Sequence, residues 1–291
     1  MSFLNSYKTP ITDTKSRKGI VNAFVYLVLG TFLLISIMPV FWTWVAALKP
    51  KMDLEMGSDP LSFPSKIDLT NLVTAWVDGK MGIYTINSII TTIPIVFCVV
   101  IMASLAGYAF AKLKFPGRDG MFYFFLFGLM IPVHVLLISI YFTNNNFGLI
   151  DKRLGVILPS IGLAMPFGIF MMRAFYRDLP YELMESAKID GCNKLKVLIS
   201  IMMPLSKPAI SALIVFQFMW SWNDLALPML IYYSDTVRTL PMGLLFFKGE
   251  YYTNETLIAA GATIATFPIV LIYLLFQKTF IQGITSGALK G

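Results

Sequence analysis

Charge is scarce in this sequence. Only 13% of its 291 residues are Asp, Glu, Lys or Arg, where a soluble domain carries about 25%. A single histidine excludes a metal site built from several imidazoles of this chain. The two cysteines, Cys98 and Cys192, stand far apart, one in an apolar run and one in a polar stretch. They form neither a disulfide framework nor a zinc spacing. The phosphate-binding pattern G-x-x-x-x-G-K-[ST] is missing. "DGKMG", residues 78–82, has a Gly-Lys pair but neither the spacing nor the hydroxyl. ATP binding and hydrolysis are therefore not expected on this chain, no nucleophile–base constellation stands out, and no cofactor is implied. Internal repeats, heptads and low-complexity tracts are also lacking, which argues against transporters built from two repeated halves.

What is present is hydrophobic: 57% of residues, with a mean hydropathy of +0.72. A helix needs about 20 apolar residues to cross the hydrocarbon core. Six stretches qualify, at roughly 20–48, 83–111, 120–143, 154–172, 208–232 and 256–277. The fifth is interrupted in its second half by Asp224. The expected fold is an all-α polytopic membrane protein with six transmembrane helices. The first run, Ile20 to Leu48, is uncharged for 29 residues and follows Lys15, Arg17 and Lys18. It is too long for a cleaved signal and fits a retained anchor.

The net charge of +7 reads as topology rather than as nucleic-acid binding. With the N-terminus inside, inner segments carry 15 Lys and Arg and outer segments 8. Both termini are then expected in the cytoplasm. This orientation makes 1–19 a cytoplasmic segment, 49–82 an external loop, 83–281 the core and 282–291 a cytoplasmic tail. It also puts the polar insert 178–207 inside, between the fourth and fifth spans.

That insert reads as two short helices. Asp178-Leu179-Pro180 looks like a helix start, followed by Glu182 and Glu185 near the positive helix end. Leu183 and Ala187 share a face, and Gly191 punctuates. A second helix is expected from Asn193 to Met203, with Leu195, Leu198, Ile199 and Met202 as its apolar stripe. Residue pattern alone leaves two meanings open: an amphipathic hairpin resting on lipid, or a knob offered to a soluble partner.

Glu185-Ser186-Ala187, then Gly191, then Ile201 and Pro204 resemble the cytoplasmic loop motif of ABC importer permeases, E-A-A, three residues, G, nine residues, I, x, L, P. Both spacings fit, with Ser186 for the second-position alanine and Met203 for the leucine. "AKIDG" is similar to the carbohydrate branch. "YAFAKLKFPGRDGMF" (108–122), "FGLIDKRLGVILPSIGLAMPFGIFMMRAFYRDLP" (147–180) and "FMWSWNDLALPMLI" (218–231) resemble further segments of that branch, and "QKTFIQGITSGALKG" (277–291) resembles the C-terminal tail of the smaller permease of maltose-type systems.

The resemblance implies a coupling helix, with Glu185, Ser186, Ala187, Asp190, Gly191, Ile201 and Pro204 forming the joint to an ATPase. It implies a tail that reaches the ATPase pair through Gly283, Ser286, Gly287 and Lys290. The implied partners are a second permease, two ATP-binding subunits, an external substrate-binding protein and a carbohydrate. On this reading the long outer loop helps seat the binding protein; otherwise it is an ordinary solvated loop.

Candidates for the substrate path are Trp220, Trp222, Asn223 and Asp224, with Asn87 as a weaker one. Aromatic faces beside amide and carboxylate groups suit a sugar, whereas the bland alternative is an interfacial aromatic belt. His134, mid-span beside Pro132, reads as a packing histidine rather than a proton relay. An ion-coupled secondary transporter is the competing class, with only His134 and Asp224 to offer. A lipid-binding scaffold is the third.

Overall fold

A computed structural model describes residues 13–50, 53, 62–245, 247 and 255–288, with backbone only for 13–18, 20 and 280–288. The described residues are helical and contain no strand. Among the described residues, the α-helices of four or more residues follow in order: α1 (Asp13–Ala47), α2 (Thr70–Val77), α3 (Met81–Lys112), α4 (Arg118–Phe127), α5 (Val133–Asn146) and α6 (Leu154–Asp178) come first. Then come α7 (Glu182–Ile189), α8 (Lys194–Val197), α9 (Lys207–Asn223), α10 (Ala226–Ile231), α11 (Leu240–Leu245) and α12 (Glu255–Ala288).

Among the described residues, four helices are long and apolar enough to cross a membrane unbroken: Val21–Ala47, α3, α6 and Glu255–Thr279. Two bent pairs bring the number to six. The third expected span is not one straight helix. Arg118–Met130 and Val133–Asn146 meet at 99°. Pro132 adopts an extended backbone there and cannot donate into the preceding turn. The fifth also departs from expectation. Helix α9 stops at Asn223, not near 232, because Asp224 is extended and its carboxylate accepts the backbone N–H of Ala226 at 3.1 Å. That bond starts the separate short helix α10.

The outward surfaces are apolar, as a bilayer requires when every backbone group is satisfied within helices. Residues 21–41 of α1 are exposed apart from Gly30, while α3 is the most enclosed span. Helices α3 and α6 form the tightest pair. A Cβ at Gly107 would lie 2.7 Å from Met172 Cβ and 2.9 Å from Arg173 N, and one at Gly168 would lie 2.8 Å from Ala103 Cβ. Only hydrogen in place of a side chain permits this approach, and close packing is what holds helices together where lipid removes the hydrophobic drive.

Helix ends are satisfied by neighbours. Asn71 on α2 donates to the carbonyls of Ala47 (3.2 Å) and Lys49 (2.7 Å), capping α1. The buried Trp222 donates its indole N–H to Ala265 O at 3.1 Å and stacks on Phe218, joining α9 to α12.

Candidate functional site

The insert is a helix–turn–helix, as its pattern suggests. Helix α7 ends in a paired closure: Cys192 N–H donates to Ala187 O (2.9 Å) and Gly191 N–H to Lys188 O (3.1 Å). Gly191 sits at φ +78°, the left-handed conformation this closure demands. The Asn193 side chain caps α8 by accepting Lys196 N–H at 2.8 Å.

The second helix is not the regular one expected. Residues 198–202 form a π-turn, and Ser206 marks an 80° bend into α9. The wider π-turn shifts the helical register. Of the anticipated stripe, Leu198 and Met202 are buried, but Leu195 and Ile199 are exposed, and Val197 takes an inward position instead.

The insert's inner face is therefore occupied. Ala187, Val197, Leu198 and Met202 pack in one core with Tyr108, Met172 and Tyr176 of the spans, and Ile201 leans on it. Pro204 lies exposed at the start of the last turn before the bend. The opposite edge carries Glu185, Ser186, Lys188, Asp190 and Gly191, all exposed. At its tip Ile189 is 87% exposed. Ile189 lies in the unnamed gap of the motif, so spacing gave no reason to single it out, although an isoleucine between Lys188 and Asp190 was a signal.

The aromatic–polar stretch divides into two faces. Trp222 is buried in packing. Trp220 is 52% exposed and meets Phe167 of α6 (centroids 4.9 Å apart) and Phe216. Asn223, three residues on from Trp220, is exposed too and donates to Met219 O at 2.8 Å. Asp224 is half-buried at the break between α9 and α10, within electrostatic reach of His134 just after the Pro132 break. Sequence reasoning overlooked Phe167 and Phe216, because a phenylalanine in a membrane span carries no local mark of function.

Asn87 faces no open path. It is buried, donates to Asp235 O (3.1 Å) and Arg238 O (3.0 Å), and accepts from Arg153 at 3.1 Å. Ser88 accepts Leu240 N–H at 2.8 Å. These bonds fasten the segment 232–240 to the N-terminal part of α3. Asp235 is further held by Lys80, Arg238 and Tyr84. The hydrogen bond from Lys80 keeps the Asp235 carboxyl below its ordinary range, and the same bond raises the Lys80 ammonium. The backbone N–H groups of Ser234 and Tyr233 similarly lower Asp151.

At the far end, Gly283, Ser286 and Gly287 lie in the helical backbone of α12, and Lys290 lies outside the described residues. Among the described residues no cluster of His, Cys, Asp and Glu suits a metal.

Residues 99–286 match the family described as binding-protein-dependent transport system inner membrane component. Among curated proteins, the chain is 33% identical over 261 residues to the arabinooligosaccharides transport system permease protein AraQ of Halalkalibacterium halodurans, covering 88% of this chain and 92% of that one. It is 28% identical over 270 residues to the diacetylchitobiose uptake system permease protein NgcG of Streptomyces coelicolor, covering 92% and 89%. The trehalose transport system permease protein SugB of Mycobacterium tuberculosis is 30% identical, with 94% and 100% covered. The fold is shared with a chain of a bacterial ABC transporter involved in alginate import, at TM-score 0.76 and 22% identity, over 95% of this chain and 100% of that one. This multi-pass membrane chain belongs to the binding-protein-dependent transport system inner membrane components, the permeases of ABC importers, which are not themselves enzymes.

Proposed function

We propose that this chain is one of two permease subunits of a carbohydrate importer, and that the insert 178–207 carries the motion of a separate ATPase pair into the spans. The observation that carries this reading is how the insert is used up. Its inner apolar face packs against the chain's own spans, while Glu185, Ser186, Ile189 and Asp190 face away. A hairpin resting on lipid would present the apolar face outward. Leu195 and Ile199 of the second helix are exposed as well, but the α7 edge of carboxylates, small side chains and Ile189 suits a cleft on a protein, with charge-assisted bonds around an apolar contact. The carbohydrate assignment rests on the named substrates of the relatives.

In this cycle, a loaded binding protein docks outside and ATP closes the ATPase dimer. The insert then swings the spans from inward-facing to outward-facing, and hydrolysis resets them. Each partner shifts the equilibrium only through its differential affinity for the two states. The N-terminus and the tail are both assigned to the cytoplasm, the latter with Gly283, Ser286, Gly287 and Lys290 towards the ATPase. The backbone of α12 runs on through Gly283, Ser286 and Gly287 to Ala288. The substrate path narrows to Trp220 and Asn223 with Phe167 and Phe216, and Asp224 at its outer edge. Asn87 and Trp222 hold its walls.

The test is reconstitution. The chain is purified in mild detergent with whatever accompanies it, placed in liposomes, and assayed for ATP-dependent sugar uptake. A co-purifying Walker-motif ATPase, and uptake abolished by Glu185→Lys or Ile189→Asp with insertion intact, is the expected result. Uptake that persists without any ATPase would overturn the proposal in favour of ion-coupled transport, for which His134 and Asp224 are the neighbouring titratable pair.

A further inference from the structure

The insert and the outer surface are joined by few unbroken elements. The route through α9 bends by 80° at Ser206 and stops at Asn223, and the route through α4 and α5 bends by 99°. Helices α3 and α6 have no such break, although Pro94 lies inside α3 and Pro159 and Pro166 inside α6, and they pack closely at Gly107 and Gly168, where a Cβ would run into the facing helix.

Their cytoplasmic ends are tied by Lys112. This residue is only 7% exposed, and its ammonium donates to Leu179 O and, at 3.3 Å, to Arg177 O. Those carbonyls belong to the end of α6, where a helix leaves its last C=O groups without internal partners and favours a cation. The cap comes from another span, and it sits where the chain enters the insert. At the other end, the same α3 holds the segment 232–240 through Asn87 and Ser88. The 25 residue-to-residue steps from Asn87 to Lys112 correspond to about 37 Å of helix.

We propose that the α3–α6 pair is a rigid rod that carries movement of the insert to the external segment 232–240, with Lys112 as the positioning residue that locks its inner end. This rests on the importer reading above. It assigns to the external segment a conformation that follows the ATPase, so the surface met by a binding protein changes with the nucleotide state. Spatial continuity alone does not establish coupling; both ends have to respond together.

The experiment uses the complete reconstituted complex and a non-hydrolysable ATP analogue, with hydrogen exchange read at residues 232–240 and at the insert. In the parent complex both regions should change on nucleotide binding. In Lys112→Met the insert should still respond, the external segment should lose its response, and binding-protein stimulation of ATP hydrolysis should fall to the unstimulated level. Lys112→Arg, which keeps a cationic donor, should restore most of both. A residue that merely stabilised the fold would lower assembly yield without separating the two responses. Should Lys112→Met fail to assemble, Ser88→Ala at the outer end decides, because it removes the acceptor of Leu240 N–H and should silence the external response alone. A normal external response in either assembled variant would overturn the rod. A parent complex whose insert ignores nucleotide would overturn the importer reading itself.

Discussion

Replacing Gly191 tests the geometry of the insert most directly. Its φ of +78° is a conformation other L-residues adopt only under strain, yet nothing lies within 4 Å of where a Cβ would go. The cost of Gly191→Ala is thus conformational rather than steric, about 1–2 kcal/mol. That corresponds to a roughly 5- to 30-fold smaller ratio of docked to undocked insert. Gly191→Asn, which tolerates this conformation better, should cost less. Gly191→Pro demands φ near −65° and removes the N–H that Lys188 O accepts, at about 3 kcal/mol or more by analogy with helix interiors. Binding-protein-stimulated ATP hydrolysis and uptake in proteoliposomes should therefore rank Gly, Asn, Ala and then Pro, with Pro near zero. Hydrogen exchange at Gly191 and Cys192 should accelerate in the same order. If Ala were as damaging as Pro, free space beside Gly191 would be the requirement, and the backbone argument would be refuted.

Other consequences are open to measurement. Gly107→Ala drives a methyl into Met172 and the backbone of α6; about 1–3 kcal/mol of overpacking should appear as a lower melting temperature in detergent, while Gly120→Ala, with open space, should be silent. Trp220→Ala should raise the KM for uptake with assembly unchanged, whereas Trp222→Ala, losing its stack and its bond to Ala265 O, should cost about 3–5 kcal/mol and reduce the folded yield. A shared KM effect with normal stability would refute the division of faces. The Asp235–Lys80 attachment has a defined pH window. The lowered Asp235 contributes above its ordinary 3.8 and is lost as pH falls through its depressed value, and the raised Lys80 contributes below 10.5 and is lost above its elevated value. Protection of residues 232–240 from exchange, corrected for intrinsic rates, should stay flat from pH 5 to 9, and Asp235→Asn should lower it at every pH.

Hydropathy and charge placement determined the class of this protein by themselves. Six apolar stretches in a chain so poor in charge leave no alternative to helices in lipid, because unpaired backbone groups cannot reside there. The spacing from Glu185 through Gly191 to Pro204 was likewise legible, since a left-handed closure needs glycine and leaves a local mark. Tertiary structure decided whatever depends on a neighbour distant in sequence. The third apolar run gave no sign of a 99° turn at Pro132, and Asp224 announced an interruption but not a helix end. The π-turn at 198–202 moved Leu195 and Ile199 outward, a shift in register no periodicity could report. Trp220 and Trp222 are two residues apart and look equivalent in sequence. Helical geometry turns them to different faces, and only packing assigns one to Phe167 and the other to Ala265. Lys112 and Asn87 read as a basic flank and a polar span residue until α6 and the segment 232–240 are brought against them, because a buried hydrogen bond is a property of two places in the chain at once.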